Sequence, residues 1–178
     1  MMRKLFVFVG LALLMSCSNK KQQEVESAIF LEKELSQFIA ANPDWTKDEA
    51  TEKETTEKFK HKLINLSNEV DFLKDMPLQL KELKDTSINE IRTKIATFKA
   101  YGDTSRSEKS LLNYVQLQIT GIVNDAQVNQ LQVDKKYTIE GTLHKQGKRG
   151  DVMFIHVADF RGYNLGRYTF VVNNFKPL

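Results

Sequence analysis

Hydrophobic positions along the chain change their period near residue 75. Before it, Val25, Ile29, Leu35, Phe38 and Ile39 fall on one stripe, interrupted by Glu32. That spacing predicts an amphipathic helix. It should stop at Ala41-Asn42, because Pro43 disfavours helical geometry at the residue before it. Thr46-Lys47-Asp48-Glu49 then matches a capping box for a second helix, with Thr46 accepting from the backbone and Glu49 reaching back. The second helix is polar through Lys58, then carries Phe59, Leu63, Leu66, Val70 and Leu73 at alternating steps of four and three. A seam of about two heptads is too short for a sustained coiled coil, so it should pack on the first helix or on the region that follows. Asn42 to Trp45 make the turn, and Trp45 is expected to fold back over the helical pair.

After residue 75 the pattern becomes strand-like. Leu78-Gln79-Leu80 alternates behind Pro77, and residues 91–97 are rich in β-branched side chains. Ile91, Ile95 and Phe98 also fit a helical period, and strand is the preferred reading there. Val115, Leu117 and Ile119 share one face of a run from Tyr114 to Asn124, with Gly121 marking an expected bulge or bend. Tyr137, Ile139, Gly141 and Leu143 alternate in the next run. Residues 145–151, KQGKRGD, have the composition of a hairpin tip. Val152 to Phe160 and Tyr168 to Phe175 complete the set. The fold class expected is α+β: an N-terminal helical hairpin over residues 24–74, then a small antiparallel β-barrel or curled sheet over 75–178. Strand count, the long bent strand and its central glycine resemble the OB-fold.

Residues 1–17 read MMRKLFVFVGLALLMSC. Arg3 and Lys4 precede the apolar run Leu5–Met15, which is shorter than the about 20 residues needed to span a bilayer and suits a signal peptide. Leu14-Met15-Ser16-Cys17 resembles the lipobox of bacterial lipoproteins, with Met15 bulkier than the residue usual there. The resemblance implies a diacylglyceryl group on the Cys17 thiol, cleavage of residues 1–16, and acylation of the new amine. Two or three chains would anchor the protein stably where one would not. Residues 17–23 form the lipidated tether. Ser18, where an aspartate would favour inner-membrane retention in that family, implies an outer-membrane lipoprotein, and a periplasm-facing orientation is expected. NPDWTKDEA, DMPLQLKELK and KKYTIEGTL further resemble small lipoproteins of unknown function in bacteria with two membranes, a resemblance that implies no activity.

Charge is read after the signal segment is removed. Loss of Arg3 and Lys4 takes the basic count from 26 to 24 against 23 acidic residues, a net charge of +1. The basic character of the whole chain is therefore no sign of nucleic-acid affinity, and a nucleic-acid partner is not expected. The charge is uneven: residues 17–102 carry 14 basic and 16 acidic side chains, residues 103–178 carry 10 and 7. Lys145, Lys148, Arg149, Arg161 and Arg167 fall in two expected hairpin loops near Phe160, Tyr163 and Tyr168. These cations with Tyr163 are the candidate ligand-binding set, suited to an anionic glycan, a lipid head group or a nucleic acid. Solvated loops backed by core aromatics would give the same pattern.

No catalytic constellation emerges. His61, His144 and His156 are far apart in sequence and show no zinc-ligand spacing; His156, in step with Val152 and Phe154, could face inward. The chain has one cysteine, no G-x-S-x-G and no glycine-rich phosphate loop. Asp151 and Asp159 would sit at opposite ends of one strand, about 25 Å apart and too distant for glycosidase chemistry. Arg149-Gly150-Asp151 spells an adhesion tripeptide, but a hairpin tip explains the glycine. No metal or cofactor is expected. The function expected is a lipid-anchored, non-enzymatic binding or scaffolding protein of the cell envelope, the membrane being its one assigned partner. The alternative is an OB-like module for an anionic polymer.

Overall fold

The computed structural model describes residues 27–157 and 160–178. Cys17, its lipobox, the tether, Val25 and Asp159 lie outside the described residues. The chain is α+β, as expected: helices α1 (Phe30–Ala41), α2 (Glu49–Leu66) and α3 (Asp125–Val128) accompany a six-stranded, mainly antiparallel sheet. The strands are β1 (Leu78–Ile88), β2 (Ile91–Lys99), β3 (Val115–Val123), β4 (Lys136–Gln146), β5 (Met153–Val157) and β6 (Phe160–Pro177).

Helix α1 ends where Pro43 requires: Asn42 caps it, its amide side chain donating to Phe38 O at 2.8 Å. Helix α2 starts two residues later than the Thr46 capping box would place it. The turn bonds from Trp45 N to Asn42 O and from Lys47 N to Asp44 O hold the chain in a turn through Lys47. Asp48 becomes the N-cap, accepting from Thr51 N at 2.8 Å, which satisfies an otherwise orphaned backbone donor. The apolar seam also ends early. Phe59, Leu63 and Leu66 are buried, but α2 stops at Leu66 and Val70 is 93% exposed. Phe72 takes over, fully buried, stacked on Phe170 at 6.0 Å and edge-on to Tyr168 at 4.9 Å.

Residues 91–99 are strand. A tight turn with Asn89 and Glu90 both at positive φ joins β1 to β2, and Ile88 faces Ile91 across it. Such turns match the twist of a hairpin. The sheet runs β3-β2-β1-β4-β6-β5, and β3 also pairs with β6 in parallel. Pairing therefore runs in a circle through β1, β2, β3, β6 and β4, with β5 outside it. The circle is uneven: β1 meets β4 only at Leu78–Tyr137 and Gln79–Lys136. Gly121 lies in continuous register with β2 and makes no bulge there. A Cβ on it would come 2.6 Å from Val172 Cγ2 and 3.3 Å from Phe98, so glycine lets the neighbouring side chains close in.

Leu78, Leu80, Ala96, Phe98, Ile119 and Ile139 are all at most 1% exposed and belong to one buried cluster with Leu31 and Leu35 of α1 and Phe59 and Leu63 of α2. Trp45 joins the parts. Its ring lies 5.1 Å from Phe38 and from Phe59, and 5.6 Å from Phe154 and from Tyr163, with Nε1 donating to Thr56 Oγ1. Helices and sheet thus share one core. No helix among the described residues is long and apolar enough to cross a membrane.

Candidate functional site

Of the expected cations, Lys148, Arg149 and Arg167 lie about one short turn, while Lys145 and Arg161 stand on strands. Lys145 is exposed on β4 opposite Thr169, and Lys148 is exposed just before a short 3-10 turn over Arg149–Asp151. Arg149 Nη2 donates to Glu57 Oε2 at 2.7 Å and lies 2.8 Å from His61 Nε2, which holds that turn to α2. Arg161 sits on β6 opposite His156. Arg167, also on β6, donates from Nε to Asp151 Oδ2 at 2.9 Å. Tyr163 is half-buried against Trp45 and Phe154, and burial pushes its hydroxyl pKa up. Residues 161–167 are therefore strand, not a loop. The GYNLG composition reads as a turn, but β5 pairs along Phe160–Asn164 while β3 pairs on the other side. His156 is exposed, its ring 4.5 Å from that of buried Phe154 and its Nε2 3.4 Å from Glu52 of α2.

What resembled a turn is a bulge. Between Gln116–Asn164 and Gln118–Arg167, β3 advances by one intervening residue, Leu117, and β6 by two, Leu165 and Gly166. Gly166 has φ +93°, a conformation that favours glycine. Asn164 Oδ1 accepts from Gly166 N at 2.9 Å, and Tyr168 Oη donates to Leu165 O at 2.8 Å, so both flanks of the bulge are tied down.

The bend opens a shallow surface cleft of about 320 Å³. Lys99, Gln116, Gln118, Asn164, Arg167 and Asp151 supply its polar groups. Strand register explains their convergence. Gln79, Lys99, Gln118 and Arg167 form one row across β1, β2, β3 and β6, each next to a buried residue of the row Leu80, Phe98, Ile119 and Tyr168. Asp151 holds Arg167 in place while leaving its side chain 56% exposed. The same pair lowers the Asp151 pKa and raises that of Arg167, chiefly through their hydrogen bond. Of these residues only Arg167 is a binding candidate from sequence; Asp151 is weighed there as a carboxylate paired with Asp159. The polar alternation Gln116, Gln118, Thr120 was the available signal, and it reads equally as an ordinary solvent face.

A second polar knot lies in the loop before β3. Lys136 Nζ is 2.7 Å from Asp103 and 4.7 Å from the centre of the Tyr101 ring, over which Arg106 also lies at 4.5 Å. Lys136, followed by Ser105, holds the Asp103 carboxyl well below the usual range. These groups satisfy one another and pin the loop. Among the described residues no group of three or more His, Cys, Asp or Glu side chains is placed to hold a metal ion. Comparison of the chain with family models, with curated proteins and with solved structures finds no match.

Proposed function

We propose that the chain is a lipid-anchored, non-enzymatic binding module of the cell envelope. The observation that carries the binding role is the polar cleft of Lys99, Gln116, Gln118, Asn164 and Arg167 on the outside of a strand circle whose interior is filled. Phe98, Ile119, Leu80 and Ile139 occupy the inside at no more than 1% exposure, so a ligand has to be met on the outer surface, as in a recognition module and unlike a carrier of enclosed small molecules. The order β1-β2-β3-β6-β4 with a parallel β3–β6 closure supports an OB-like reading of the sheet, with β5 as an addition. The contact of Phe38 with Phe59 and the Lys62–Glu34 ion pair at 2.6 Å support a helical hairpin of α1 and α2.

The lipobox-like Leu14-Met15-Ser16-Cys17 supports the anchor, and Ser18 supports the outer membrane with the folded part in the periplasm. Two measurements test this reading. Wild-type protein should incorporate labelled fatty acid and sediment with membranes, and Cys17→Ala should lose the label and either leave the membrane or remain uncleaved. Cross-linking of the anchored wild type in its own envelope should capture a defined component that a membrane-attached, unfolded variant does not. Wild type with an unmodified Cys17 thiol overturns the anchor; capture of nothing specific overturns the binding role.

A further inference from the structure

We propose that the cleft at the β6 bulge binds the carboxylate-bearing sugar of an acidic polysaccharide, an inference that rests on the binding-module reading and names its ligand. Charge arithmetic comes first. Lys99 and Arg167 contribute two positive charges and Asp151, bonded to Arg167, removes one. The lining keeps a single excess cation, which matches one carboxylate per sugar better than a run of phosphates. Hydrogen bonding comes second. Gln116, Gln118 and Asn164 bring amide side chains, which both donate and accept. Sugar hydroxyls also do both, so the two sets are complementary.

Stacking comes third. The aromatic side chains beside the cleft, Tyr168 and Phe98, are buried on the inner row, and none lines the cleft. Single-stranded nucleic acid relies on exposed aromatic platforms, so a glycan is favoured over an oligonucleotide. The ligand can also extend beyond one unit. Thr97, Thr120 and Thr169 form the next outward row across β2, β3 and β6, a line of hydroxyls parallel to the Lys99, Gln118 and Arg167 row and beside it on the sheet face.

The test uses the full-length chain in detergent, titrated with oligogalacturonate, neutral dextran, a single-stranded oligonucleotide and glycerol phosphate, the water-soluble head group of an anionic lipid. Oligogalacturonate should bind in preference to the other three. Lys99→Gln should weaken it about tenfold, the usual effect of losing one charge-assisted hydrogen bond, and the Gln116→Ala/Gln118→Ala double change should weaken it by a similar factor. These positions are at the surface, and unchanged circular dichroism will verify folding. Uronate binding that neither variant alters would overturn this site. Preference for the oligonucleotide or the glycerol phosphate would overturn the ligand class. Specific capture of another envelope component, with no uronate binding, would overturn the proposal and leave the binding-module reading intact; absence of both would remove that reading as well.

Discussion

Ser110 Oγ donates to Glu32 Oε1 at 2.7 Å, while Ser27 Oγ donates to Glu32 Oε2 at the same distance. A carboxylate only 5% exposed therefore fastens α1 to the loop before β3. In the sequence Glu32 interrupts the apolar stripe, and the two serines give that interruption its reason: a buried charge needs partners that replace water. Glu32→Ala should cost about 2 kcal/mol, because it leaves two hydroxyls to find new acceptors in a closed site. Glu32→Gln keeps the shape and one acceptor oxygen and should cost about 1 kcal/mol. Urea midpoints at constant m-value will measure both. Equal stability of all three proteins would show that Glu32 is a tolerated passenger.

The close approach at Gly121 makes a second expectation. An added methyl would stand 2.6 Å from Val172 Cγ2, inside the distance any two carbon atoms accept. Gly121→Ala should destabilise by about 1–3 kcal/mol through overpacking. Combining it with Val172→Ala should recover part of the loss, since the second change removes the obstructing methyl while leaving a smaller void than it would alone. A double variant no better than the sum of the singles would place the strain in the backbone instead.

Much of the architecture was legible because local pattern and tertiary need agree. Leu35 and Phe38 show α1, Phe59 to Leu66 show α2, and the Val115, Leu117, Ile119 alternation shows β3 in the sequence as in the structure. The failures fall where polar residues serve the backbone. Asp48 rather than Thr46 caps α2, because turn bonds upstream decide where the helix can begin. Asn164 and Gly166 look like a loop, yet neighbours on both sides hold them in β6. The cleft was illegible for a related reason. Lys99 and Gln118 become neighbours only through the register of β2 on β3, and Arg167 joins them through a parallel pairing that local sequence does not encode. Charge counting grouped Arg149 with Arg167, but the structure gives each its own carboxylate.

Tyr168 links the core to the bulge and predicts an alkaline weakness. Burial raises its hydroxyl pKa well above the ordinary tyrosine value, while the proton donates to Leu165 O at 2.8 Å. The folded state therefore favours the neutral form. Its contribution is whole below the unfolded pKa of about 10 and declines as pH rises from there toward the raised folded value. At about pH 11 the loss should reach about 1 kcal/mol for this group. Tyr168→Phe should cost about 1 kcal/mol at neutral pH by removing the bond, and its stability should then fall less between about pH 9 and 11. Urea midpoints at those two pH values will separate the cases. Parallel curves for variant and wild type would assign the alkaline loss to other tyrosines.

Trp45 is the one tryptophan of the chain and sits where the helices meet the sheet, against Phe38 and Phe59 on one side and Phe154 and Tyr163 on the other. Its fluorescence therefore reports the junction, whereas far-ultraviolet circular dichroism reports the secondary structure on both sides. Gln146 Nε2 adds a polar tie, donating to Ile64 O at 3.0 Å and to the buried Ser67 Oγ at 2.7 Å. With the junction buried, helices that left the sheet would expose Leu31, Phe59 and Leu63 together with Phe154, a cost of several kcal/mol at about 1.5–3 kcal/mol for each large side chain. The two signals should consequently change at one urea concentration, as a single cooperative unit does. Trp45→Ala removes the hinge of that packing and should destabilise by about 3–5 kcal/mol, with the remaining signal, far-ultraviolet dichroism, still showing one transition if the rest of the core suffices to couple the parts. An early loss of fluorescence in the wild type, followed by a separate loss of strand signal, would mean that α1 and α2 are a detachable arm and that residues 75–178 hold together without them.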